Sequence, residues 1–173
     1  MNHTKQLEGL PVLQNIDRQS NLFSLGDELH LMVLEGPITS LPDYFQTAVY
    51  ALNLHVRGRL TASINHQIYE VEAPSFSSIL INQPIRVIES SEDHLQYVLG
   101  ISPLFAEDLH LNLSGNAHVR AYMRPVFPMT KPQMQVAIHY IDLLREVIGT
   151  SDADNAREVA LDLMRSMVNF VYG

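Results

Sequence analysis

The 173-residue chain has no cysteine and no tryptophan, and its 11 lysines and arginines are outnumbered by 19 aspartates and glutamates. Without cysteine there is no disulfide framework, no thiolate metal ligation and no cysteine nucleophile; the composition fits a reducing cytoplasm, where the chain is expected to reside. A formal charge of −8 is the wrong sign for a surface that neutralises phosphates, so direct nucleic-acid contact by this chain is not expected. No run approaches the roughly 18 apolar residues of a spanning helix, and the N-terminus lacks a signal-peptide core, so no membrane partner is expected. A glycine-rich phosphate loop, a G-x-S-x-G elbow and an H-E-x-x-H helix are all missing, which leaves catalysis without positive support and no catalytic residue to name. Eight histidines are present, but none stand as His-x-His. The nearest constellation, His66 with Glu70, falls short of the usual three or four ligands, so neither a metal nor another cofactor is expected. Glu89, Glu92 and Asp93 read as a solvated loop.

What the chain does have is 46% hydrophobic residues, enough for the core of one domain covering 1–173. Its centre, 50–101, reads as short strands closed by turn residues. The segment 50–56 ends at Arg57-Gly58, and 60–64 alternates Leu60, Ala62 and Ile64 against Thr61 and Ser63. Asn65-His66 reverses the chain into 67–71; 77–81, 85–88 and 94–101 follow, separated by Gln83-Pro84 and by the polar loop 89–93. With 29–34 added, strands this short at this turn spacing predict an antiparallel sandwich or small barrel over 29–101. Residues 1–21 carry no sustained periodicity and read as an arm.

After Ile101 the period changes. Ser102 with Pro103 predicts a short helix over 103–110, followed by an extended linker to 128. Thr130-Lys-Pro-Gln133 matches a capping box. It opens a helix with Met134, Ala137, Ile138, Ile141, Leu144 and Ile148 on one face and Gly149 as its stop. Ser151 or Asp152 caps a second helix, about 153–172, which completes a two-helix hairpin over 130–172. This second helix is apolar around more of its circumference than one face needs, which predicts burial on two sides. A homodimer through Val159, Leu163, Met164 and Met167 is the expectation.

A small barrel holds a small ligand among inward side chains. The polar candidates on apolar strands are Asn53, His55, Tyr69, Arg86, Gln96 and Tyr97. The run Tyr50-Ala-Leu-Asn-Leu54 followed by Arg57-Gly58, then Tyr69, Ile79-Leu80-Ile81, Pro84 and a last strand ending Ile101-Ser102-Pro103, resembles the N-terminal effector-binding and dimerisation domain of AraC-type transcription regulators. The resemblance covers about residues 30–172 and includes the order barrel, linker, hairpin. It implies an α+β, mainly β fold, an antiparallel cupin-like β-barrel followed by a two-helix hairpin. It also implies a small-molecule effector and, in the whole regulator, a C-terminal DNA-binding domain absent from this chain. By position it places ligand contacts at Ile88, Gln96 and Val98, with Arg86 on the face of Ile88. Tyr50 and His55 complete the expected set. Arg86 in a cavity would favour an anionic ligand. A cupin-fold enzyme, an isomerase or dioxygenase, and a pure dimerisation module with a filled barrel are the alternatives.

Overall fold

The computed structural model describes residues 22–38, 43–109, 123–150 and 152–173; the expected arm 1–21 and the middle of the linker lie outside them. Nine strands are present among these residues. They are β1 (Leu22–Leu25), β2 (Leu29–Glu35), β3 (Tyr50–Arg57), β4 (Arg59–Ile64), β5 (Gln67–Glu72), β6 (Ser75–Ile79), β7 (Ile85–Ser90), β8 (Leu95–Ile101) and β9 (Val126–Pro128). Three helices join them: α1 (Pro103–Asp108), α2 (Lys131–Ile148) and α3 (Ala153–Tyr172). All strand pairs are antiparallel. They form a six-stranded sheet, β1-β2-β8-β3-β6-β9, and a three-stranded sheet, β5-β4-β7. The β-structure is therefore two facing sheets of cupin-like form rather than one closed barrel. β1, which the sequence reading left between arm and first strand, adds a four-residue edge paired with β2.

The tight corner between β3 and β4 depends on Gly58. Its φ of +84° lies in the left-handed region, and a Cβ there would sit 2.4 Å from Ser91 Oγ and 2.9 Å from the His94 backbone, so only glycine fits. Arg57 beside it donates to the Asp93 carbonyl at 2.8 Å and to Glu35 at 3.3 Å. The Arg-Gly pair thus joins the β3–β4 corner to the β7–β8 loop and to the end of β2.

The large sheet is buried on both faces. One side carries Leu29, Leu31, Leu54, Phe76, Leu99 and Ile101, packed against Phe105, Met134, Ile141, Leu144, Met164 and Met167 of the helical layer. The other carries Met32, Leu34, Ala51 and Val98 and faces Leu60, Ala62 and Val71 of the small sheet. With both sides covered, the polar positions of β3 and β8, Asn53, His55 and Gln96, are buried as well.

Both hairpin helices start where their caps predict. Thr130 accepts from Gln133 N while the Gln133 side chain accepts from Thr130 N, and Asp152 accepts from Asn155 N. Arg157 near the start of α3 donates to both oxygens of Glu28, at 2.7 and 2.8 Å, and to Asp108 at 2.6 Å. At the other end of α3, Tyr172 joins Phe76 and Phe127 in an aromatic cluster with ring centroids 5.2–5.6 Å apart. Both ends of the helix are fixed to the sheets.

Candidate functional site

Between the two sheets lies a cavity of about 70 Å³. Strand parity determines its walls. On β3, residues 51, 53 and 55 point into it while 50, 52, 54 and 56 point to the helices; on β8, Gln96 and Val98 point in. The small sheet contributes an apolar wall of Leu60, Ala62, Ile64, Val71, Ile85 and Val87. Phe45 and Thr47 close one side, held by backbone hydrogen bonds in both directions between Phe45 and Ile85, at 2.9 and 2.8 Å, and by one from Asn82 N to the Thr47 carbonyl at 3.0 Å.

Opposite the apolar wall stands a polar one. His94 contacts Gln96 Oε1 through Nε2 at 3.0 Å, Gln96 Nε2 donates to Asn53 Oδ1 at 2.9 Å, and Asn53 Nδ2 reaches the Ser77 carbonyl at 3.5 Å. His94 is anchored at its other ring nitrogen by the Gly36 carbonyl, 3.3 Å away. A second contact joins His55 Nε2 to Ser77 Oγ at 2.8 Å. All five side chains are buried, so the hydrogen bonds hold them in fixed orientations. His55 Nδ1 is buried with no hydrogen-bond partner. Desolvation, with a smaller contribution from nearby His94, depresses the His55 pKa to about 3, and burial lowers that of His94 as well. The His55 ring is neutral at physiological pH.

The structure brings together three of the six expected ligand residues, His55, Gln96 and Val98. The other three lie elsewhere. Tyr50 packs on the helical side of the large sheet, as it must, because residues 50 and 55 have opposite parity on one strand. Arg86 is exposed, 5.8 Å from the Tyr44 ring and 4.0 Å from Asp43. Ile88 is 46% exposed; it sits at a bulge where the β4–β7 register steps from Ala62↔Val87 to Thr61↔Glu89. Its neighbour Val87 faces inward together with Ile85, and ordinary alternation turns Arg86 and Ile88 outward together. With Arg86 outside, the argument for an anionic ligand falls. Asn53 and Ser77 belong to the polar wall, and His94 supports it. Asn53 was legible from its parity with His55, whereas Ser77 and His94 follow only from tertiary contacts.

The expected dimer residues also need correcting. Met164 and Met167 are fully buried within the chain, beside Ala156, Ala160, Leu161 and Val168. These positions form the buried stripe of α3. Val159 and Leu163 are half-buried, and the same face of α3 carries exposed Ser166 and Phe170 beyond them. A matching stripe on α2 runs Val136, Tyr140, Leu143 and Val147, with Val136 and Leu143 exposed.

Two facing antiparallel sheets with an internal cavity define a cupin-like β fold, here with a helical hairpin packed on the larger sheet. No family model matches the sequence and no curated protein matches it. Among solved structures, the AraC-like transcriptional activator CuxR is similar at a TM-score of 0.55 and 13% identity, over 86% of this chain and 54% of that one. ToxT from Vibrio cholerae O395 gives 0.47 at 14% identity, over 83% and 56% of the two chains. A cupin protein from Bacteroides fragilis gives 0.38 at 10% identity, over 44% and 67%. The chain thus spans about half the length of the two regulators it is similar to.

Proposed function

We propose that this chain is the small-molecule-sensing and dimerisation part of an AraC-type transcription regulator. The observation that carries the reading is the joint likeness of sandwich and hairpin to CuxR over 86% of the chain; the preorganised polar wall inside the sandwich adds to it. In this reading DNA contact belongs to a part of the regulator outside residues 1–173, in keeping with the charge of −8. The chain acts by binding rather than by catalysis, since the described cavity wall offers one histidine, no carboxylate and no acid–base pair. The dimer contact runs through the outward faces of α2 and α3, which leave Val136, Leu143 and Phe170 exposed, rather than through Met164 and Met167.

One observation favours a second reading. A cavity of about 70 Å³ is well under the roughly 300 Å³ at which drug-sized ligand sites begin, so a pure dimerisation module with a filled interior is the competing reading. Fusion of the chain to a helix-turn-helix domain that needs dimerisation to occupy a palindromic site tests both. The expected result is occupancy of paired half-sites that a small molecule shifts. Occupancy that no compound alters would favour the filled module, and a fusion that stays monomeric would overturn the proposal.

A further inference from the structure

The sensing reading leaves the kind of ligand open, and the cavity walls narrow it. We infer that the cavity takes a small uncharged molecule with a hydroxyl group, the hydroxyl bonding His55 Nδ1 and the carbon portion lying on Ala62, Val71 and Val87. The inference rests on the sensing role proposed above and specifies its ligand.

Three observations support it. None of the described residues lining the cavity carries a formal charge, so a carboxylate or ammonium entering it would be desolvated with no counter-charge, a cost far above that of a neutral polar group. The donors and acceptors of Gln96 and Asn53 are engaged with each other and with His94 and Ser77, whereas His55, 3% exposed, keeps Nδ1 unpartnered. A buried polar atom without a partner is costly, and a ligand that supplies one removes the cost.

The chemistry of the His55–Ser77 pair then selects the group. If Ser77 donates its hydroxyl hydrogen to Nε2, the ring proton is on Nδ1 and the free atom is a donor. If Nε2–H donates to Ser77 Oγ, Nδ1 is an acceptor. A hydroxyl gives and accepts a hydrogen bond and so satisfies either tautomer. A carboxylate only accepts, and an ammonium only donates. Size points the same way: a dry cavity of about 150 Å³ holds benzene, so about 70 Å³ corresponds to roughly half as many heavy atoms, the scale of a two- or three-carbon alcohol.

The test is an amide chemical-shift titration of the isotopically labelled chain with 1-propanol, propionate and propylammonium in parallel, each to about 100 mM, because so few heavy atoms limit affinity. Saturable shifts confined to Asn53, His55, Gln96, Val98 and their neighbours with 1-propanol, and none with the two ions, are expected. In His55→Phe the 1-propanol affinity is expected to fall about tenfold, as loss of one buried hydrogen bond implies. An ion that binds the cavity as tightly as 1-propanol overturns the ligand class and leaves the sensing role standing. If none of the three probes gives saturable shifts there, the inference is overturned, and the sensing role is decided separately by the fusion assay above. The wild-type titration decides between these outcomes even if His55→Phe does not fold.

Discussion

At the scale of single residues, the polar wall is the feature with the most consequence for stability. His55 is buried as a neutral ring, and burial also lowers the pKa of His94 and of His30, which pairs with Ser24 Oγ at 2.8 Å. In the unfolded chain each returns to a pKa near 6.5. Between the depressed folded value and 6.5 the unfolded state binds more protons, so stability is complete above about pH 6.5 and declines as pH falls. Each such histidine adds a slope of up to about 1.4 kcal/mol per pH unit in that window. The urea midpoint is therefore expected to drop markedly between about pH 7 and pH 5, and the drop is expected to be shallower in His55→Phe by about one proton's worth. A wild-type midpoint that is flat across this range would show that the rings are not buried neutral. Gln96 is the centre of the same wall, since its amide is the single link between His94 and Asn53.

At the scale of elements, α3 is fixed to the rest of the chain by chemistry that its amphipathic pattern does not reveal. Arg157 bridges Glu28, just before β2, and Asp108 at the end of α1, while Arg165 donates to the Leu109 carbonyl at 2.7 Å. These contacts tie the helix to two elements far from it in sequence. The Glu28 carboxyl is held below its ordinary pKa, mainly by its hydrogen bonds to Arg157. That contribution to stability is present above the unfolded value near 4.5 and lost as pH falls through the lower folded one. Arg157→Leu is expected to cost about 1–2 kcal/mol, less than a fully buried pair because the partners are a quarter to two-fifths exposed. Hydrogen exchange should locate the loss at the first turn of α3 and the β1–β2 turn. Protection unchanged at both places would mean that apolar packing alone holds the helix.

At the scale of the whole molecule, the hairpin has two distinct apolar surfaces. One faces the large sheet through Met134, Ile141, Leu144, Met164 and Met167. The other leaves Val136, Leu143 and Phe170 exposed, and it is the surface proposed for the second copy. Leu143→Glu with Phe170→Glu is expected to give a folded monomer, with unchanged far-ultraviolet circular dichroism and half the sedimenting mass. Met164→Glu is expected to unfold the chain, because it places a charge at a position with no exposure. A folded double variant that still sediments as a dimer would place the interface elsewhere.

Residues 22–173 show how far local pattern reaches. Most strand positions, the capping boundaries of α2 and α3 and the order of sandwich and hairpin were legible in the sequence, because turn residues, caps and hydrophobic period act within a few residues of one another, whereas β1 was not read as a strand and β6 runs Ser75–Ile79 rather than 77–81. The resemblance carried by Leu52-Asn53-Leu54 and Arg57-Gly58 rests on the same kind of local demand. Gly58 fits a corner that no other residue can occupy, and Asn53 stands on the cavity side between two leucines that face the helices. Which face of each strand meets which neighbour was settled only by tertiary structure. Period two says that Arg86 and Ile88 share a face, and that His55 shares one with Asn53, but it does not say which face looks inward. In the large sheet both sides are covered, so the polar residues Asn53, His55 and Gln96 mark the cavity side rather than solvent. The pairing of β7 with β4, which turns Val87 inward and Ile88 outward, and a layer of helices, which covers Met164, are both consequences of contacts distant in sequence.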